Sequence, residues 1–242
     1  MKKVFLTLII IAMAGTAFSQ IMPEVDKFTT SAGEVEIYFI GHGSLMFKVN
    51  DFVIDLDPVG TYGNYNNLPK ADLILVTHEH YDHLDPALIE KLKKPETVMY
   101  CNANSAAKVK WAQVMKNGDV RTFKGIKIEA VPAYNIVNEA SKGHPFHPKG
   151  IGNGYILTIG DKRFYVAGDT ENTPEMKALT DIYVAFLPMN MPYTMTPAMV
   201  ADAAKAFKPK ILYPYHYGET NTNELVGLLK GSGIDVRIRK LK

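Results

Sequence analysis

Apolar and polar residues alternate over residues 34–39 ("EVEIYF"), the pattern of a strand with one buried face. The same reading predicts strands over 45–49 and 52–56, with Asn50-Asp51 as the hairpin turn between them. "ADLILVT", residues 71–77, is a short continuous apolar run of the kind that forms a strand buried on both faces. Asp85 then has the character of a helix N-cap, with Pro86 in the first turn and Lys91, Lys93 and Lys94 towards the C-terminus. "ETVMYCN" predicts another strand, 105–115 a helix, and "GDVRTFKGIKIEAVPAYN" two further strands. Asp55 sits oddly within its apolar strand and suggests a bulge.

The texture then starts over. "GYILTIGDKRFYVAGDT" reads as two strands joined through Gly160-Asp161, and "DIYVAFLPM", "KILYPYHY" and "IDVRIRK" as three more, with helices over 196–207 and 221–229 between them. Strand pairs early in each half, then strand–helix alternation, predict an α/β architecture: two mixed β-sheets face to face, flanked by helices in a four-layer αββα sandwich. No Pro/Ser-rich linker separates the halves, so residues 20–242 are expected to form one domain.

The first residues change the picture of charge and location. "MKKVFLTLIIIAMAGTAFSQ" has two lysines, a mostly apolar run and then Ala17-Phe18-Ser19, a small-x-small cleavage site. The run falls short of the about 20 apolar residues a transmembrane helix needs. A signal peptide over 1–19 is expected, cleaved after Ser19, giving a periplasmic or secreted protein with no stable membrane anchor. Removing Lys2 and Lys3 reduces 27 basic residues to 25, equal to the 25 acidic ones, so bulk charge gives no reason to expect nucleic-acid binding. The single cysteine, Cys101, excludes an intrachain disulfide and a cysteine-based metal site.

Directly after the buried run, His78, His80, Asp82 and His83 form H-x-H-x-D-H. On a loop this spacing lets His78 and His80 face one point while Asp82 and His83 turn to a second. Imidazoles with a carboxylate suit zinc or another first-row divalent ion. Asp169, closing "RFYVAGD", and His216, closing "KILYPYH", are both expected at strand ends on one rim.

These three motifs, the H-x-H-x-D-H loop, "VAGDT" and "YPYHYG", resemble the metallo-β-lactamase-fold hydrolases over about Gly33 to the C-terminus. "GHGS" and "HYG" are similar to the small single-domain lactonase-like and zinc phospholipase D-like branches. The resemblance implies two divalent ions, zinc ahead of manganese or iron, and hydrolysis by a metal-bound hydroxide. It places His78 and His80 on the first ion, Asp82 and His83 on the second, Asp169 between both and His216 on the second. Asp82 or Asp169 would handle the proton, and Asp57 would orient the histidine loop from behind.

The chain departs from the family where a histidine is expected after "IKIEAVPA", since Tyr134-Asn135 stand there. His147 is the expected replacement and His144 the weaker one; an Asn135 amide oxygen is a poor zinc ligand beside imidazole. Lys149, Tyr193 and Thr194 are expected on loops over the site, where they could hold an anionic substrate. His42 of "GHGS" reads equally as a residue near the metals or a structural histidine.

The expected function is an exported metal-dependent hydrolase of a small ester, lactone or phosphodiester; the alternative is a metal-binding or sensing protein without turnover. A diiron redox reading would need a carboxylate in place of His80 and a flavin domain, and the sequence has neither.

Overall fold

The N-terminal alternation is realised as a meander. In the computed structural model, which describes residues 22–242, β1 (Glu24–Thr30), β2 (Gly33–Gly41), β3 (Ser44–Val49) and β4 (Phe52–Leu56) pair antiparallel in sequence order. The expected signal segment lies outside those residues. In β2, Val35, Ile37 and Phe39 are buried, so the period-two pattern sets which face is covered. All six residues of β5 (Ala71–Val76) are buried, as its unbroken apolar run requires. β5 joins β4 in parallel, and β6 (Lys93–Cys101) and β7 (Gln113–Val114) extend the sheet in the same sense. α1 (Pro86–Leu92) and α2 (Ala103–Lys108) provide the crossovers, and the Asp85 carboxylate caps α1 by accepting from Leu88 N.

The second sheet begins with the antiparallel pair β8 (Val120–Phe123) and β9 (Ile126–Ala133). A separate small hairpin, β10 (Glu139–Ser141) and β11 (His144–Pro145), precedes β12 (Gly152–Ile159), which pairs with both β9 and β13 (Lys162–Val166). After α3 (Pro174–Lys177), the parallel strands β14 (Val184–Pro188), β15 (Ile211–Tyr215) and β16 (Asp235–Val236) complete the sheet. α4 (Pro197–Phe207), capped by Thr196, and α5 (Thr222–Leu228), capped by Asn221, connect them.

The two inner faces meet in one core that includes Phe39, Phe47, Leu75, Phe164, Phe186 and Tyr213. Its rings interlock, with Phe39 5.0 Å from Tyr213 and Phe47 5.9 Å from Phe164 between centroids. Outside the first sheet, Ile74, Val76 and Met99 pack with Ile89 and Leu92 of α1. Outside the second, Ile156, Tyr165 and Leu187 pack with Val200, Ala204 and Phe207 of α4. Helix, sheet, sheet and helix therefore stack in the expected order.

Several local expectations are corrected. The helix expected over 105–115 stops at Lys108, because Val109 is extended and the chain turns back to lay β7 beside β6. Lys93 and Lys94 begin β6 rather than ending α1. "IDVRIRK" pairs with β15 only through Asp235 and Val236. Beyond them Arg239 is held 2.7 Å from Asp26 of β1, and this ion pair draws the tail away from the ladder. Asp55 lies in regular register opposite Met46 and Ile74, without a bulge.

Candidate metal centre

The histidine loop leaves β5 at Thr77, and Asp57, at the end of β4, fixes its first turn. The buried Asp57 carboxylate accepts Thr77 N at 2.7 Å, Thr77 Oγ1 at 2.6 Å and His83 Nδ1 at 2.8 Å. The Thr77 hydroxyl hydrogen is thus committed to Asp57, so its oxygen accepts His78 Nδ1–H at 3.0 Å. Both histidines therefore donate through Nδ1 and turn Nε2 inward. The resemblance implied that Asp57 orients this loop from behind, and the structure places its carboxylate against Thr77 and His83.

The second sheet supplies three more groups. Asp169 follows β13 through Gly168, whose φ is +67°; a Cβ there would stand 2.8 Å from Asn153 O and 3.1 Å from Thr77 Cβ. Only glycine lets this turn come so close to the histidine loop. His216 follows β15 and donates its backbone N–H to His42 O at 3.1 Å, tying the second rim to the first. His147 arrives from the segment between β11 and β12.

Three neighbouring groups of donors result: His78, His80 and His147; Asp82, His83, His216 and His42; and Asp169 with His78 and His83. Asp169 Oδ2 is 3.3 Å from His147 Nε2 and 3.4 Å from His216 Nε2, while Oδ1 is 3.4 Å from His83 Nε2. Asp82 Oδ2 is 3.4 Å from His216 Nε2. A tetrahedral ion with bonds of about 2.0–2.1 Å has ligand–ligand edges of roughly 3.3–3.4 Å. Nε2 of His78, His83, His147 and His216 and Oδ1 of Asp169 are buried without a hydrogen-bond partner. Such polar atoms converging on one point fit a cation.

Electrostatics set the charge of each donor in the absence of a cation. Burial, reinforced by neighbouring histidines, holds the His78 imidazole well below its ordinary pKa, so it is neutral. Burial works against charge on Asp169 and Asp82 as well. The imidazoles of His216 and His83 nevertheless hold Asp169 well below the carboxylate range, and contacts with His216 and His42 do the same for Asp82. Burial also opposes charge on His83, yet Asp169 and Asp57 raise it well above the usual imidazole value.

Above the donors opens a cavity of about 370 Å³ with Tyr62, Tyr81, Phe146 and Tyr193 in its walls and His42, Asp82 and His216 among its floor residues. His147 and Tyr193 are therefore in the region the sequence expected. Lys149 is not: its ammonium pairs with Glu175 at 2.7 Å and lies over the Tyr134 ring, outside the cavity lining. Thr194 is fully buried and bonded to Asn190, so it braces a loop instead of overhanging the opening. His144 is exposed on β11 and joins none of the donor groups among the described residues. His42, left undecided by sequence, has its ring centroid 3.8 Å from that of His216, tilted by 41°, and places Nε2 3.3 Å from Asp82. Glu171 was missed altogether: it is buried and accepts the backbone N–H groups of Ile136, Val137 and Asn138. No spacing pattern announces a carboxylate whose partners are main-chain groups of another loop.

Comparison with known proteins gives a consistent result. Residues 36–216 match the beta-lactamase superfamily domain. The chain is 28% identical over 220 residues to a UPF0173 metal-dependent hydrolase of Anoxybacillus flavithermus, covering 84% of this chain and 97% of that protein. A UPF0173 metal-dependent hydrolase of Pyrococcus abyssi is 31% identical over 197 residues, covering 76% and 84%. A crystal structure from Parabacteroides distasonis, assigned as a metal-dependent hydrolase, superposes with a TM-score of 0.87 at 53% identity, over 91% of this chain and 100% of that one. The metallo-beta-lactamase fold protein YhfI of Bacillus subtilis superposes with a TM-score of 0.66 at 13% identity, over 83% and 89%.

Proposed function

The chain belongs to the β-lactamase superfamily as a metal-dependent hydrolase with the metallo-β-lactamase fold, and from that premise we propose that it uses two divalent ions, zinc first, to hydrolyse a small uncharged ester or lactone. The observation that carries the metal reading is the set of buried, partnerless Nε2 atoms converging on Asp169. His78, His80 and His147 would hold one ion, Asp82, His83 and His216 the other, with Asp169 between them. Ions held there would supply Lewis acidity and would lower the pKa of a water.

The remaining parts are the chain's own. Asp82 Oδ2 lines the cavity, is kept ionised by its histidine neighbours and is placed to take a proton. Tyr62, Tyr81, Phe146 and Tyr193 offer ring faces to an apolar part of the substrate. Among the described residues the lining contains no lysine or arginine, and Lys149 is engaged with Glu175, so an anionic substrate would have only the ions to meet its charge and a neutral ester or lactone is the first choice. The N-terminal pattern supports export to the periplasm; a mature chain beginning near Gln20 outside the cytoplasm is the expected finding, and an intact N-terminus on a cytoplasmic pool would refute it.

Zinc-loaded protein should turn over aryl esters and lactones faster than bis(p-nitrophenyl) phosphate and lose activity to a chelator. Asp82→Ala should lower kcat by about 10²-fold or more. Full turnover by the chelated protein or by Asp82→Ala would reject the hydrolytic reading. Bound metal with no turnover of any of these substrates would favour a sensor.

A further inference from the structure

Asn135 stands where a metal-binding histidine was expected, and its contacts give it another use. His147 N–H can only donate, so the Asn135 atom 2.8 Å away must be Oδ1. The other end of the amide faces the Tyr193 carbonyl at 2.8 Å and Glu171 Oε1 at 3.2 Å, both acceptors, so it must be Nδ2. The amide orientation is therefore fixed from both sides.

That same Oδ1 lies 2.7 Å from His147 Nδ1. An oxygen without a hydrogen cannot satisfy an unprotonated nitrogen, so Nδ1 carries the proton and Nε2 keeps its lone pair. A third bond, Asn135 N to His147 O at 2.9 Å, locks the two residues together. His147 Nε2 then lies buried and partnerless, 3.3 Å from Asp169 Oδ2 and grouped with His78 and His80. Glu171, caged by the three N–H groups of residues 136–138, anchors the amide from behind.

We propose that Asn135 is a positioning residue of the first metal site: seated on Glu171 and the Tyr193 carbonyl, it holds His147 in the Nδ1–H tautomer and aims Nε2 at the ion. This rests on the reading of His147 as a metal-holding residue. A histidine brought in by a loop has no strand to fix its ring, and the asparagine supplies the orientation that a strand-end ligand takes from its backbone. Such supporting partners typically govern metal affinity by about 10–100-fold.

The test begins without metal. In the full metal-free chain with ¹⁵N-labelled histidine, long-range ¹H–¹⁵N correlation should find His147 protonated at Nδ1; protonation at Nε2 would overturn the proposal without any variant. In zinc titrations against a chromophoric chelator, Asn135→Ala should weaken one of two sites by about 10–100-fold and leave the other unchanged. Asn135→Asp should weaken the same site, because its second oxygen would face Glu171 Oε1 and the Tyr193 carbonyl, both acceptors, and lose the seat. Wild-type binding at both sites in Asn135→Ala or in Asn135→Asp would overturn the proposal. His147→Ala separates the failures. If it loses one site while Asn135→Ala loses none, only the positioning role falls; if it too keeps both sites, the ligand reading falls as well.

Discussion

Two aspartates two residues apart on one strand end behave oppositely, and the difference is hydrogen bonding. Asp57 accepts three donors and orders the histidine loop. Asp55 is fully buried with both oxygens unpartnered, and burial pushes its pKa from 3.8 up to about 8. The folded chain thus holds this proton more tightly than the unfolded chain, so stability is greatest below the unfolded value and falls as pH rises from about 4 to 8. Asp55→Asn removes the dependence. The stability gap between the variant and the wild type, measured by urea unfolding, should shift in the variant's favour by about 3 kcal/mol between pH 5 and pH 7. His78, His80, Asp82, His83, Asp169 and His216 were legible in the sequence because metal-seeking side chains directly after apolar strands have few other uses. Asn135 and Glu171 were not, since what they bind depends on the path of a loop that only the folded molecule defines.

Elements built from strong periodic patterns formed where expected, and those that failed were decided by contacts distant in sequence. The β2–β3–β4 meander and the capped α1 and α4 follow from alternation and N-cap chemistry alone. The C-terminal tail does not, because Asp26 captures it: Arg239 Nη2 lies 2.7 Å and 2.8 Å from the two carboxylate oxygens, and the Tyr213 hydroxyl donates to the same group. Burial works against this charge, yet Tyr213 and Arg239 hold the Asp26 pKa below its ordinary 3.8. Its contribution is present above that value and lost as pH falls through the folded one. Asp26→Asn should cost about 1–2 kcal/mol at pH 7 and make the chain less sensitive to acid below pH 4, read from denaturant midpoints. At the turn after β13, Gly168→Ala would force a Cβ onto Asn153 O and Thr77. At φ +67° this should cost at least about 1 kcal/mol, seen as a lower Tm, with weaker zinc binding as Asp169 is displaced.

For the molecule as a whole, the donors are divided between the sheets: His78, His80, Asp82 and His83 follow β5 of the first, and His147, Asp169 and His216 come from the second. The overall layering was legible from the repeated strand and helix texture. The seam was not, because which rim faces which depends on packing between the sheets. Ions bound in that seam would join the two halves, and the unfolded chain offers no such arrangement. Zinc at about 100 times the Kd of one site should add about 2.7 kcal/mol of stability from that site. That corresponds to a Tm increase of roughly 5–10 °C by calorimetry, reversed by a chelator. An unchanged Tm with zinc bound would mean that the unfolded chain binds zinc as tightly as the folded one. The joint also has a consequence for turnover of the protein itself. Copies without ions would open more often, expose cleavable backbone and be cleared sooner by proteases, so the standing population would follow the supply of metal.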